Sequence, residues 1–411
     1  MSEMIQINQS GVRKNENRAR IILFSIVIVH MFLRSAITVM PSALMSVIMS
    51  DMGLDYSQAG VMVYITSLVM GIFLFIGSSA IARLGAVRTL ILAMVFLGLD
   101  GVFSFFIHNY WFVLLGRVLS GIGNGLSIGA CSALIAAWFE KKHHGIANSI
   151  SSIIYSVSFS AAYAIIVPVY TSVGSWQNEM ILWAGLSIAL GLVLQLCGFR
   201  KTDKTVMESD KLQQPGSSLK SAIKYKEVWY LAVAMTGLMW AYKCFMTYLP
   251  AYLSEFFGLS IARASSVTGL MPLAGIIGSL GAGSTYHLIK NKKLLLWAPM
   301  MGALAASIGI SLSPPGLMLY SCIFLFGFCY MAWCTVSSTL LMDLKGVTPS
   351  ILSGLMAIMI GSGTFITIFA PFLFDLLKDI TDMQMAFLIF SSMLVFSLAS
   401  TLLYRDSQGV N

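Results

Sequence analysis

The sequence predicts an all-α membrane protein of twelve transmembrane helices in two pseudo-symmetric six-helix bundles. Three observations predict it: long apolar runs that recur from end to end, basic residues confined to alternate loops, and an ordered repeat between the two halves. The 411 residues are 57% hydrophobic and 10% charged, against about 25% charged in an ordinary soluble chain. A run of about 20 apolar residues crosses a hydrocarbon layer about 30 Å thick. The runs are continuous rather than alternating, which argues against a β-barrel. The longest polar interior segment, residues 200–226, is too short for a soluble domain, so an enzyme is not expected.

The elements follow in order. Residues 1–19 are polar and read as a tail; the run at 20–45 is too long for the apolar core of a cleavable signal. The second run, 56–80, leads into a basic loop with Arg83 and Arg88, and runs 87–107 and 110–138 form a hairpin about His108 and Asn109. Runs 144–171 and 178–199 complete a first bundle over 20–199. The polar stretch "RKTDKTVMESDKLQQPGSSLKSAIKYK" (200–226) is a linker. A second bundle over 227–404 holds runs 227–254, 263–289, 292–312, 315–342, 349–376 and 382–404, and residues 405–411 form a second tail.

Charge gives the orientation. Of the 25 Lys and Arg, twenty fall in the tails, the linker and the loops on one side; Arg263 and Lys378 fall on the other, and Arg34, Arg117 and Lys243 lie inside runs. By the positive-inside rule both termini face the cytoplasm, in a cytoplasmic (inner) membrane. The net charge of +8 thus reports topology and attraction to anionic lipid, not nucleic acid. The six cysteines lie in or beside runs without metal-ligand spacing and read as small apolar fillers, so neither a metal nor a cofactor is expected.

The halves repeat at an offset near 205. "FLRSAITVMPSAL" (32–44) lies over "AYKCFMTYLPAYL" (241–253), so that Arg34 and Lys243 each precede a proline, Pro41 and Pro250, by seven residues. "MGLDYSQAGV" lies over "FGLSIARASS", Gly123 over Gly327, Pro168 over Pro371 and Gln177 over Gln384. Parallel six-helix halves with a midplane site between them are a transporter plan. Arg34 and Lys243 then lie at equivalent depths, and if their helices meet across the pseudo-twofold they clamp one anion. Arginine presents a bidentate fork to carboxylate or phosphate, and lysine a point charge.

Other charges and polar groups take narrower roles. Asp100 and Arg117 flank the hairpin at matching depth and are expected to form a structural pair, since a lone buried charge is costly. That leaves Arg34 and Lys243 without a counter-ion in the chain. His30, at i−4 to Arg34, shares its face and is either a neutral core histidine or a ligand and proton contact. Gly121, Gly125 and Gly129 repeat every four residues, the spacing of close helix packing rather than of a nucleotide loop, and Asn124 among them bonds either the cavity or a neighbouring helix.

The chain resembles the major facilitator superfamily over essentially its whole length. "GSSAIARLGAVRTL" (77–90) resembles the superfamily loop Gly-x-x-x-Asp-Arg-x-Gly-Arg-Arg, with Arg83, Gly85 and Arg88 matching and Ala82 in place of the aspartate. "GRVLSGIGNGLSIGACSALIAAWFEKKHHGIAN" (116–148) resembles its Arg-x-x-x-Gly-x-Gly helix and the turn that follows. The pattern is closest to the anion:cation symporters of sugar acids and the organophosphate antiporters. The resemblance implies an anionic substrate at Arg34 and Lys243. Leu33 and Asn124 stand where the sugar-acid symporters carry acidic residues, so coupling falls to exchange or to a proton on His30. It also implies that Tyr64, Tyr155, Trp240, Tyr330, Trp333 and Ser362 border the cavity. Arg83, Gly85, Arg88, Lys292 and Lys293 would gate the cytoplasmic side.

The expectation is a monomeric secondary active transporter that moves a small organic anion (sugar acid, carboxylate or phosphate ester) by alternating access, with a proton or counter-anion as coupling partner. The alternative is a multidrug efflux transporter for amphipathic compounds, which predicts an unpaired midplane acid for cationic drugs. The intramembrane acid weighed in the sequence is Asp100, which has Arg117.

Overall fold

A computed structural model describes residues 2–106, 109–138, 144–197, 221–286, 288–289, 291–344, 347 and 349–404. Lys141, Lys142, most of the linker and the 405–411 tail lie outside the described residues. Every regular element described is helical. In the first half these are α1 (Ser2–Ala43), α2 (Met45–Met52), α3 (Tyr56–Leu84), α4 (Ala86–Phe106), α5 (Tyr110–Trp138), α6 (His144–Val173) and α7 (Trp176–Leu196). In the second half they are α8 (Lys226–Glu255), α9 (Ile261–Thr268), α10 (Leu270–Thr285), α11 (Lys292–Leu312), α12 (Leu317–Met342), α13 (Pro349–Ile366), a 3₁₀ turn (Thr367–Phe369), α14 (Ala370–Ile380) and α15 (Met383–Leu403).

Eleven segments among the described residues are long and apolar enough to cross a membrane. The crossing expected at 227–254 is α8, a helix of 30 residues, about 45 Å long. It falls outside those eleven because Trp240, Tyr242, Lys243, Tyr248 and Tyr252 dilute its hydropathy, and its far half is almost wholly buried. A polar helix at the centre of a bundle is where a transport path is expected. α1 reaches back to Ser2, so the expected N-terminal tail is largely helical.

The repeat is visible in the backbone. Gly53 ends α2 at φ 64°, and Gly258 follows α8 at φ 65°, a left-handed turn that glycine enters at no steric cost. Two residues later Asp55 and Ser260 cap the next helix through their side chains, satisfying backbone N–H groups otherwise left open. Ser175 and Asp382 likewise cap the last helix of each half, just before the matched Gln177 and Gln384. The pairing of helices repeats too: α4 packs on α5 and α7 as α11 packs on α12 and α15, and α1 packs on α6 and α7 as α8 packs on α13 and α15.

Small residues set the close contacts. A Cβ on Gly121 or Gly125 would strike α3 at Thr66, Val69, Met70 or Phe73, so the four-residue stripe is a packing seam. Gly327 presses on the Met271 carbonyl, as Gly121 presses on that of Thr66. The structural counterpart of Gly327 is therefore Gly121. The Gly123 match slips by two residues, because Gly123 faces α4 at Ala93 and Leu97.

The halves meet through α1 with α8, α3 with α14, and α6 with α9 and α10. Their hydrogen bonds gather at the end of the bundle away from the basic loops. There Ser265 Oγ donates to the Ala43 carbonyl at 3.1 Å, and the Tyr56 hydroxyl donates to Glu255.

Candidate functional site

α1 and α8 each carry a proline within the helix, Pro41 and Pro250. Proline has no N–H to return to the carbonyl four residues back, so each frees one buried acceptor. Ile37 O is freed by Pro41 and accepts from Arg117 Nη1 at 3.0 Å. Met246 O is freed by Pro250 and accepts from Ser42 Oγ and from the Tyr163 hydroxyl, each at 2.5 Å. Ser42 also donates to Thr247 O at 2.9 Å. One freed carbonyl is closed from within its own half; the other is clasped across the two halves.

Arg117 is fully buried and lies 2.6 Å from Asp100 Oδ2, with both side chains at 0% exposure. Its Nε also reaches Met62 O at 3.3 Å, so this one side chain ties α1, α3, α4 and α5 together. Gly116 leaves the room for it, since a Cβ there would meet Asp100.

Arg34 is 3% exposed. Its Nη1 donates to Asn124 Oδ1 at 3.3 Å, Thr38 Oγ1 donates to the same oxygen at 3.3 Å, and Asn124 Nδ2 is turned to Ser120 O at 2.9 Å. The guanidinium carbon sits 5.4 Å from the centroid of Tyr155, within cation–π range. His30 Nε2 pairs with Ser127 Oγ at 2.8 Å, one helical turn from Asn124 along α5. Among the described residues no carboxylate pairs with Arg34. A guanidinium has five N–H donors, so most of its capacity stays free for a ligand.

Lys243 is more exposed in its stem, but its Nζ is enclosed without a hydrogen-bond partner among the described residues. Beside it on α8, Tyr242 stacks on Tyr330 with centroids 4.0 Å apart at 13°. Tyr155 lies near both tyrosines, which brings the Arg34 side of one half before the Tyr242 side of the other.

The other expected residues are placed as follows. Tyr64 is 2% exposed, and Trp333 is fully buried, its indole N–H without a partner among the described residues. Trp240 packs on Phe390 at 5.4 Å. Ser362 donates to Met359 O at 3.1 Å and accepts from Thr236, within the packing of α13 on α8. At the basic end Arg83, Arg88 and Lys293 are exposed, and Gly85 turns the chain at φ 91°. Lys292 folds back over the Tyr286 ring at 3.8 Å, within its own half. No bond among the described residues joins these basic groups across the halves.

The family profile that matches this chain is that of the Major Facilitator Superfamily, over residues 23–347. The chain belongs to the Major Facilitator Superfamily. Among facilitator relatives it is 25% identical over 283 residues to the hexuronate transporter of Bacillus subtilis, a match covering 65% of each chain. It is 26% identical to the nitrite extrusion protein of the same organism, over 67% of each chain. A solved bacterial homologue of the human lysosomal transporter Spinster, inward-facing and occupied, superposes with a TM-score of 0.76 at 14% identity, over 94% of this chain and 96% of that one. The last likeness concerns the facilitator fold alone. This facilitator is a multi-pass membrane transporter, not an enzyme, and its relatives include carriers of organic and inorganic anions.

Two features were missed by sequence reasoning. The Ser42–Tyr163–Met246 clasp had a signal in the repeated prolines, which mark where carbonyls are freed but not which donors reach them. Glu179 is a second buried acid, at 0% exposure. It lies in the first turn of α7, near the end of its span.

Proposed function

We propose that this facilitator moves a small organic anion, a sugar acid or related carboxylate, across the cytoplasmic membrane by alternating access between its halves. Arg34 and Lys243 neutralise the anion, one from each half. Asn124 and Thr38 orient the Arg34 fork, and Tyr155, Tyr242 and Tyr330 wall the chamber with rings and hydroxyls. The single observation that supports this most is that two repeat-related cations lie inside the bundle with no carboxylate partner among the described residues. An ammonium without a partner is costly in such a place, and an anion bound there offsets that cost. The basic loops put the clasped end outside. Opening that end and closing the other carries the anion, provided it binds the two states unequally. The efflux reading expects an unpaired acid at mid-depth, and Asp100, 2.6 Å from Arg117, is a paired one.

The test is uptake of hexuronate, carboxylate and phosphate-ester anions into proteoliposomes with wild type, Arg34→Ala and Lys243→Ala. The expected outcome is anion uptake by wild type, with loss in both variants. Unchanged uptake in both variants removes the clamp.

A further inference from the structure

We propose, resting on the alternating-access reading above, that Lys378 is the cation that holds a charged latch shut at the clasped end. The balance of charge around it then sets how often that end opens. Lys378 is one of two basic residues outside the basic loops and the runs, and the anion site does not use it.

The latch joins the halves at the first turn of α3. Lys378 lies on α14 of the second half, and its Nζ sits 4.3 Å from the centroid of the Tyr56 ring of the first. The Tyr56 hydroxyl donates to Glu255 at the end of α8. Tyr248 and Phe374, stacked 4.1 Å apart, flank the same ring at 6.2 and 6.5 Å. Asp375 reaches the backbone N–H of Ser57, where a helix N-terminus favours negative charge. These gripping groups come from the second half, and the gripped turn belongs to the first.

Charge makes the latch conditional. Asp375 lies near Asp55, the cap of α3, and near Asp379. Glu255 is held at Tyr56 beside them. Four carboxylates, Asp55 from the first half and Glu255, Asp375 and Asp379 from the second, therefore gather at this seam when it closes. Like charges brought together oppose closure. Lys378 offsets them, at 3.8 Å from Asp375 and 3.5 Å from Asp379. The same ammonium rests on a ring of the other half, and a cation within about 6 Å of a tyrosine face is attracted to it. Without Lys378 the seam keeps its carboxylates and loses the charge that offsets them.

The repeat argues that the fold itself does not demand these charges. Asp55 and Tyr56 lie over Ser260 and Ile261. With Pro168 over Pro371, Asp375 and Lys378 lie over Ser172 and Ser175. The matching edge, where α6 meets α9, thus has uncharged residues at all four places. One edge closes on neutral groups and the other on a charge balance, which is where ions in the outer solution act.

The test reads the opening directly. Spin labels go on Trp111→Cys and Leu317→Cys, exposed at the outer tips of the two halves, in the full chain with the exposed Cys197 replaced by serine. In the ligand-free protein Lys378→Gln should move population from the shorter to the longer distance. The open-to-closed ratio should rise about twofold to tenfold, the range of one partly exposed cation–ring contact or ion pair. Lys378→Arg should keep the wild-type distribution, and so should Arg263→Gln, which removes the other outer basic residue. Adding Asp375→Asn to Lys378→Gln should restore closure, as should raising salt from about 0.1 M to about 1 M, which screens the repulsion. Wild-type distances in Lys378→Gln, a shift that neither Asp375→Asn nor salt reverses, or the same shift in Arg263→Gln would overturn the latch. The distances need no substrate. The expected shifts without glucuronate uptake by wild type leave the latch standing and remove the transporter reading; uptake without the shifts does the reverse.

Discussion

The first helix of each half has the same grammar, a cation followed seven residues later by a proline, but the two are embedded differently. Around α1 every element of that motif is answered nearby: Arg34 by Asn124 and Tyr155, and the freed Ile37 carbonyl by Arg117 with Asp100 behind it. Around α8 the motif is left open. Among the described residues Lys243 Nζ has no partner, and the freed Met246 carbonyl is met by Ser42 and Tyr163 from the other half. The first half thus answers its motif from within, and the second relies on the other half for its freed carbonyl. Under the alternating access proposed above that asymmetry matters, because interactions that differ between states are the ones able to drive a switch.

The largest expected effect is in the first half. Asp100→Asn leaves Arg117 buried and uncompensated, and should cost about 3–5 kcal/mol in thermal unfolding in detergent. A wild-type melting point would remove that pair from the comparison. The opposite sign is expected on the open side. Lys243→Met removes an unpartnered enclosed ammonium and should raise the stability of the ligand-free protein, by about 1–3 kcal/mol, while abolishing anion binding. Destabilisation of similar size would mean that Lys243 is held by the protein after all.

Smaller effects sharpen the repeat itself. Gly53→Ala and Gly258→Ala force a side chain into matched left-handed turns, and each should cost about 1–2 kcal/mol to a similar extent. A large difference between them would show that the two turns are not structural equivalents. Ser42→Ala should have the least effect, about 1 kcal/mol, because Met246 O keeps Tyr163. It is best read as increased labelling of a cysteine placed at the clasped end. Adding Tyr163→Phe should enlarge the increase, as the carbonyl then loses both donors.

Much of this organisation is legible in the sequence, for physical reasons. Apolar runs near membrane length give the crossings, and the spacing of Arg34 and Lys243 from their prolines survives duplication. The left-handed turns at Gly53 and Gly258 lie in the aligned "MGL" and "FGL". What escapes is whatever depends on register between distant helices. Gly123 and Gly121 differ by two positions, a rotation of about 200° on a helix, and only packing against α3 or α4 separates their roles. Trp333 and Ser362 read as site residues by position, and what each touches, an enclosure for the indole and the Met359 carbonyl for the hydroxyl, is set only by packing. Glu179 escapes because a charge near a span's end is ordinary in sequence, and its enclosure arises only when α7 folds against α1 and α4.

The central claim is that one anion is held jointly by cations from both halves. Calorimetric titration of a transported anion into wild type, Arg34→Ala, Lys243→Ala and the double variant tests it most directly. Joint holding predicts that each single substitution weakens binding at least about tenfold, the size of one charged hydrogen bond, and that the double variant loses little more than either single one. Binding by Lys243→Ala at wild-type affinity would contradict it.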